Sequence, residues 1–210
     1  MKKIESLEPS KHIKGRFLVR LEGEQELLKV TENEVVTFSL YSGRELEENE
    51  LAALKQAGSL SSAKARGARM LGERPLSRRE LIRRLTEKGT SPENAEAAAD
   101  WLEDIGALNE GDYARSIVRH YSARGYGVQR IRQELLRRGI PRELWEDAMQ
   151  EQSDPNDRIL AFINQKMRGH EGDSRQLKRA TDALLRRGFR WEEIRAGLNR
   201  YGANIEEESI

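Results

Sequence analysis

The sequence predicts a mostly α-helical protein with three tandem three-helix repeats, elongated and curved, preceded by a small α+β N-terminal segment containing a β-hairpin. One helix-ending pattern occurs three times, at residues 85–89, 135–139 and 184–188, with its glycines about 50 residues apart. A period of this size is typical of stacked repeats that bury their apolar faces against one another. Apolar residues otherwise follow the 3.6-residue helical period, except in an alternating stretch near the start.

The first sixty residues differ in pattern from the remainder of the chain. Residues 15–21 alternate apolar and polar side chains as a half-buried strand does, and residues 26–30 can return beside them as a hairpin. Residues 31–40 are predicted to form a short helix capped by Thr31, with Glu34 at its third position. Residues 47–57 are predicted to form a separate helix. A lone hairpin is marginally stable in water, so this segment is expected to pack on the helices or on a partner.

From residue 60 onward, the apolar periodicity predicts nine helices in three triplets, the first helix spanning residues 61–71. Each middle helix ends at a repeated glycine, where glycine supplies the left-handed cap. Ser77, Ser91 and Asn109 are predicted helix N-caps, and a helix is expected to begin at Pro141. The predicted domains are an N-terminal segment, 1–59; repeats, 60–108, 109–153 and 154–202; and an acidic tail, 203–210.

Two sets of side chains are expected to face the core of the repeats. Ala95, Leu102 and Ile105 fall on one stripe of the third predicted helix of the first triplet. The aromatic residues Trp101 and Tyr121 are also expected to pack in the core.

The composition excludes several classes of protein. The chain has no cysteine, which argues against disulfides and thiolate metal sites, and no apolar run long enough to span a membrane. Its start does not resemble a signal peptide, so a cytoplasmic location is expected. The histidines at 12, 120 and 170 have no neighbouring ligands, and residues 125–127 are too short for a dinucleotide fingerprint. We therefore expect no metal, no cofactor and no enzymatic activity.

The net charge of +1 conceals an uneven distribution of basic residues. Residues 61–205 carry a net charge of +6, and 24 of their 28 basic residues are arginine. Arginine favours forked contacts with carboxylates and phosphates, which indicates an acidic or nucleic-acid partner. Ordinary solvated helix faces in an arginine-rich protein explain the same composition, so both interpretations stay open.

Basic side chains on the three predicted middle helices are the candidate contact residues. If equivalent helices lie alongside one another, these side chains form one cationic stripe. Arginines next to the glycines also stabilise the helix C-terminus, so the residues further upstream are the sharper candidates. The candidate residues are Arg78, Arg79, Arg83 and Arg84; Arg130, Arg132, Arg137 and Arg138; Arg175, Lys178, Arg179, Arg186 and Arg187; and Tyr126 as an aromatic contact.

Four sequence segments, taken in order, resemble the bacterial RecX regulatory family. They are Arg-Pro-Leu-Ser-Arg-Arg-Glu-Leu at residues 74–81, the helix ending at 85–89, residues 106–114 around Gly-Ala-Leu-Asn-Glu, and residues 131–141. The resemblance covers residues 60–200, and the third repeat fits the family pattern more loosely than the first two.

The resemblance implies a non-enzymatic modulator, mainly an inhibitor, of the RecA recombinase in DNA repair, homologous recombination and the SOS response. Family members bind along the groove of the RecA–DNA filament across neighbouring protomers and suppress ATP hydrolysis, strand exchange and coprotease activity. The implied partner is the RecA filament, with single- or double-stranded DNA left open as a second partner, and the implied state is a monomer. The alternatives are a sequence-non-specific DNA-binding protein and a helical-repeat scaffold for another protein.

Overall fold

The computed structural model describes residues 1–152 and 154–202. The chain divides into two compact units, Met1–Leu108 and Asn109–Ile210. The predicted acidic tail, 203–210, and Ser153, the predicted end of the second repeat, lie outside the described residues.

The N-terminal segment forms a four-stranded antiparallel sheet of β1, Lys2–Pro9; β2, Arg16–Leu21; β3, Leu28–Thr31; and β4, Glu45–Leu46. The order of the strands in the sheet is β3-β2-β1-β4. The predicted hairpin is confirmed, with Phe17 of β2 opposite Val30 of β3. Two further strands were not predicted. In β1 a change of register between Ile4 and Ser6 interrupts the alternation of apolar residues, which hides the strand from a pattern search.

Two helices complete the N-terminal segment and lead into the first repeat. Helix α1, Glu32–Thr37, begins at the predicted cap, where Thr31 and Glu34 form a capping box. Helix α2, Glu48–Glu73, runs for 26 residues without interruption, so the prediction of separate helices at 47–57 and 61–71 is wrong. The glycine in the middle of α2, Gly58, does not end the helix. It allows close packing, because a Cβ there would lie 2.9 Å from the carbonyl oxygen of Lys29.

The first repeat consists of the second half of α2 together with α3, Arg78–Glu87, and α4, Pro92–Asp104. Its helices begin as predicted: the Ser77 hydroxyl accepts a hydrogen bond from the backbone N–H of Glu80, and Ser91 caps α4. Ile105 follows the last residue of α4 and is 54% exposed, so its predicted core position is wrong. The buried side chains at the centre of the repeat include Leu76, Leu81, Leu85, Ala95, Ala98 and Leu102.

The second unit contains the other two repeats. The second repeat has a shorter third helix than predicted, because the chain first makes a 3₁₀ turn at Arg142–Leu144. Its core includes Ile131 and Leu135, and the core of the third repeat includes Ile163 and Leu184. The helices are α5, Glu110–Ala123; α6, Val128–Arg137; α7, Trp145–Met149; α8, Pro155–Met167; α9, Ser174–Arg186; and α10, Trp191–Tyr201.

The predicted mostly helical fold with three-helix repeats is therefore confirmed. From α2 onward, the described residues contain nine α-helices in three consecutive sets of three. The middle helices α3, α6 and α9 all end two residues before a glycine of positive φ, with one capping residue between, as the repeated pattern predicts. None of the helices in the described part of the chain is long and apolar enough to cross a membrane.

Candidate partner-binding surface

Arg78, at the start of α3, is held by three carboxylates of α4. Its guanidinium lies 2.7 Å from Glu96, 2.7 Å from Asp100 and 2.8 Å from Glu103. These bonds connect two helices of the same repeat. A partner would have to compete with all three carboxylates, so Arg78 is a structural residue rather than an open contact point.

The other arginines of α3 divide into paired and unpaired residues. Arg83 pairs with Glu87 one turn further along, and Arg84 lies 3.0 Å from Glu80 one turn earlier. Arg79 has no ion-pair partner among the described residues. The sequence correctly places four basic side chains on α3, but the structure leaves one of them without a carboxylate.

The arginine doublet at the end of α6 surrounds a buried carboxylate. Glu134 is 5% exposed and accepts hydrogen bonds from Arg137 at 2.6 and 2.9 Å and from Arg138 at 2.6 Å. The hydrogen bonds from Arg137, and then those from Arg138, outweigh the burial of the carboxyl and lower the pKa of Glu134 to about 2. Arg138 also donates to the hydroxyl of Tyr113, which anchors the end of α6 to α5.

The upstream basic residues of α6 are less constrained. Arg132 lies 3.5 Å from Glu146, a weak pair at the surface. Arg130 is exposed, and within the described part of the chain its side chain makes a single hydrogen bond, a 3.5 Å contact with Gln133. Arg130 is therefore available to a partner.

Helix α9 carries the most open cationic surface. Arg175, Arg179 and Arg186 are exposed and have no hydrogen-bond or ion-pair partner for their side chains among residues 1–152 and 154–202. Lys178 is exposed on the same side of the helix. Residues four and seven apart on a helix share one side, so Arg175, Arg179 and Arg186 form a row. An unpaired arginine row of this kind suits a partner that supplies negative charge.

The last candidate of α9, Arg187, points to the second repeat instead of to solvent. Its guanidinium donates to the carbonyl oxygens of Arg124 and Gly125, both at 3.3 Å, and lies 4.7 Å from the ring centre of Phe162. Arg187 therefore connects the second and third repeats. Its role is to position the two repeats within their unit.

Backbone hydrogen bonds form the same connection. The N–H of Gly127 donates to the carbonyl of Arg187 at 2.9 Å, and the N–H of Gln129 donates to that of Gly188 at 3.0 Å. The C-terminal end of α9 thus meets the N-terminal end of α6, where free N–H groups need acceptors. These two helices do not pack along their lengths in the described structure, so the expectation that they lie alongside one another is wrong. The two helices meet end to end because the carbonyl groups after α9 accept hydrogen bonds from the N–H groups at the start of α6.

The predicted aromatic residues also divide between the core and the surface. Tyr126 is half-buried, with its ring 5.4 Å from that of Tyr121, and its carbonyl accepts a hydrogen bond from Arg158. It belongs to the connection between repeats. Trp101 is 36% exposed with the Lys64 ammonium 5.0 Å from its ring centre, so its predicted core position is wrong.

Two exposed leucines were missed by the sequence analysis. Leu136 is 54% exposed and Leu185 is 40% exposed, whereas the leucine before each of them is fully buried. The missed signal is helical phase: a leucine directly after a core leucine lies about 100° away from it on the helix. The repeated Leu-Leu pair therefore contains one core residue and one surface residue.

Known proteins share this arrangement of repeats. A family model described as "RecX, first three-helix domain" matches residues 63–102, and one described as "RecX, second three-helix domain" matches residues 109–149. The regulatory protein RecX of Leptothrix cholodnii is 34% identical over 138 residues, which are 65% of this chain and 87% of that protein. The chain belongs to the RecX family. The RecX protein of Pseudomonas putida strain GB-1 is 36% identical over 60% of this chain and 81% of its own length.

Solved structures support the same fold. A crystal structure of regulatory protein RecX matches with a TM-score of 0.75 and 24% identity, covering 95% of this chain and all of the other. The crystal structure of RecX from Lactobacillus salivarius matches with a TM-score of 0.64 and 19% identity, covering 70% of this chain and 98% of the other. The first of these matches extends the RecX-like fold beyond the two repeats that the family models describe.

Proposed function

We propose that this protein regulates the RecA recombinase, mainly as an inhibitor, by binding along the groove of the RecA–DNA filament across neighbouring protomers. In this proposal the bound protein suppresses ATP hydrolysis, strand exchange and coprotease activity. Membership in the RecX family supports a regulatory role. The observation that carries the proposed contact is the row of unpaired arginines on α9, Arg175, Arg179 and Arg186.

The geometry favours binding through several weak contacts. Each exposed guanidinium contributes little binding free energy alone, because a surface ion pair is worth about 0–1 kcal/mol. Once one ion pair has formed, the others form at a high effective concentration, so their contributions to the affinity combine if their spacing matches the partner. A filament repeats the same acidic groups at a fixed interval, so it can bind arginines of more than one repeat.

We also propose that the protein acts as a monomer in the cytoplasm.

A filament assay tests this function. RecA is assembled on single-stranded DNA, the full-length protein is added, and the steady-state rate of ATP hydrolysis is followed. We expect the rate to fall as the protein saturates, and an unchanged rate at saturation contradicts the proposal. The Arg179→Glu, Arg186→Glu double variant is expected to need at least about ten times more protein for half-inhibition, the loss of roughly 1.4 kcal/mol.

A matched control separates a specific contact from net charge. The Arg119→Glu, Arg200→Glu double variant changes the net charge by the same amount within the same unit. Both control arginines are exposed but already paired, Arg119 with Glu151 at 2.7 Å and Arg200 with Asp157 at 3.4 Å. We expect this control to inhibit nearly as well as the natural protein. Equal loss in both variants would show that only overall charge matters.

Sequence-non-specific DNA binding is a second candidate function, favoured by the same open row on α9. Guanidinium groups bind phosphates as readily as carboxylates. If DNA alone is the partner, binding to it without RecA is expected to weaken steeply with salt, with a log–log slope of about −0.9 for each phosphate contacted. Binding to DNA that persists while RecA turnover stays unchanged would favour this second function.

A further inference from the structure

The repeated helix ending carries a surface residue in addition to its core residue. Leu135 and Leu184 are fully buried, whereas Leu136 and Leu185, three positions before the repeat glycines, are exposed. Single exposed leucines are common on protein surfaces. An exposed leucine at the same position in two repeats of one chain is less easily explained by chance. Neither leucine belongs to the core of its repeat.

Each exposed leucine is accompanied by two arginines that occur in both repeats, one directly after it and one six residues before it. In α6 these are Arg130 and Arg137, and in α9 they are Arg179 and Arg186. Helix residues seven apart differ by only about 20° around the axis, so each pair forms a short row. The leucine lies about 100° around the helix axis from the second arginine of its row and about 120° from the first, so it borders the row on one side. We call Arg130, Leu136 and Arg137 the α6 docking face, and the corresponding Arg179, Leu185 and Arg186 the α9 docking face.

The first repeat has the opposite chemistry at the same positions. Counted from its glycine, the corresponding residues of α3 are Glu80, Thr86 and Glu87. Both glutamates there bind arginines of α3, and the threonine hydroxyl donates to the carbonyl of Ile82. A three-helix repeat therefore folds without the leucine and the two arginines. Their presence in the second and third repeats needs another explanation.

We propose that the α6 and α9 docking faces are two copies of one binding site for a protein surface on which carboxylates surround an apolar hollow. The inference rests on the proposed function and specifies the chemistry of its contact. The arginines supply the charge complementarity: Arg179 and Arg186 have no carboxylate partner in the described chain, and Arg130 has only Gln133 there. Arg137 is bound to Glu134, but 69% of its side chain remains exposed beside that ion pair. The leucines favour a protein over nucleic acid, since phosphates and sugars offer little apolar surface to bury.

The connection between repeats holds the two docking faces in one arrangement. The backbone of Arg130 packs so closely on Gly188 that a Cβ on the glycine would lie 2.5 Å from the Arg130 nitrogen. The α9 face ends two residues before this point, at Arg186, and the α6 face begins at Arg130 itself. Two sites fixed in one unit bind a repeating partner more tightly than either site alone. A partner with equivalent sites at a regular interval therefore fits this surface best.

The decisive variant replaces both leucines by the residue of the first repeat, Leu136→Thr with Leu185→Thr. All charges remain, so electrostatic attraction to RecA or to DNA is unchanged. We expect the concentration needed for half-inhibition of RecA ATP hydrolysis to rise at least about tenfold. Binding of the variant to single-stranded DNA alone is expected to match that of the natural protein across a salt series.

The outcomes distinguish this inference from the proposed function. If the natural protein leaves RecA turnover unchanged, the proposed function is wrong, and the docking inference, which rests on it, is wrong with it. If the natural protein inhibits and the double variant inhibits equally well, the docking inference alone is wrong. A parallel loss of DNA binding would also overturn it, because nucleic acid would then cover the leucines. A Leu136→Gln, Leu185→Gln variant, in which glutamine favours helix, guards against misfolding caused by threonine.

Discussion

The middle helices of the first and third repeats, α3 and α9, end in the same way but use their charges differently. Gly89 and Gly188 follow them with the same φ of +84°. In α3 the carboxylates of α3 and α4 bind most of the arginines, whereas Arg179 and Arg186 of α9 have no such partner in the described structure. The comparison shows that the repeated pattern specifies how a helix ends, while the surrounding acidic residues decide whether its arginines remain available.

The largest expected effect separates the core leucine of α9 from the surface leucine beside it. Leu184→Ala removes a fully buried side chain and should lower the free energy of unfolding by about 2–5 kcal/mol. Leu185→Ala, at a 40% exposed position, should change it by less than about 0.5 kcal/mol. Urea denaturation followed by circular dichroism measures both. Similar losses in the two variants would mean that the helical phase of α9 is wrong.

The second prediction compares the two glycines that end α3 and α9. The Cβ added by Gly89→Ala would have no atom within 4 Å, so the substitution should lower the free energy of unfolding by about 1–2 kcal/mol, the strain of alanine in a left-handed conformation. The Cβ added by Gly188→Ala would lie 2.5 Å from the Arg130 nitrogen, so overpacking should add about 1–3 kcal/mol to the same conformational strain. Thermal unfolding of the two variants gives the difference directly. Equal costs would contradict the close contact between the third and second repeats.

The third prediction concerns a carboxylate of α6 whose counterpart in α9 is Ala183. Arg137 and Arg138 lower the pKa of Glu134 to about 2, below its ordinary value of 4.5, so ionised Glu134 stabilises the folded state. This contribution is complete above about pH 4.5 and is lost as the pH falls through about 2. Glu134→Gln should therefore cost about 1–3 kcal/mol at pH 7, and less as the pH falls below 4.5. Urea denaturation of the natural protein and the variant at several pH values measures this, and a difference independent of pH would exclude the carboxylate as its cause.

Local patterns explain which parts of the fold could be predicted. A buried leucine four residues before a glycine specifies a helix and its ending within one short segment, so all three middle helices follow from the sequence. Strand β1 and the uninterrupted helix α2 depend on contacts between distant segments. Gly58, for example, marks a close approach to Lys29 that the local sequence does not reveal.

The candidate surface was predictable only in part, for a related reason. Helical phase places arginines on the outer side of each middle helix, but pairing depends on other elements. Arg78 looks as open as Arg175 in the sequence, yet three carboxylates of α4 surround it. Arg187 likewise contacts backbone carbonyls of a different repeat. Exposure of the leucines follows from phase and could have been found by comparing the repeats position by position.

The smallest expected effect on stability gives the most direct test of the contrast between α3 and α9. Arg83→Gln breaks a surface pair with Glu87 one turn away and should cost about 0.3–0.5 kcal/mol. Arg179→Gln removes a charge without a partner in the described chain, so stability should stay the same or rise slightly as repulsion from nearby cations falls. Inhibition of RecA should show the reverse order, weakened by Arg179→Gln and nearly unchanged by Arg83→Gln. Because both substitutions remove one positive charge from an exposed helix position, an equal effect on inhibition would mean that a partner does not distinguish paired from unpaired arginines.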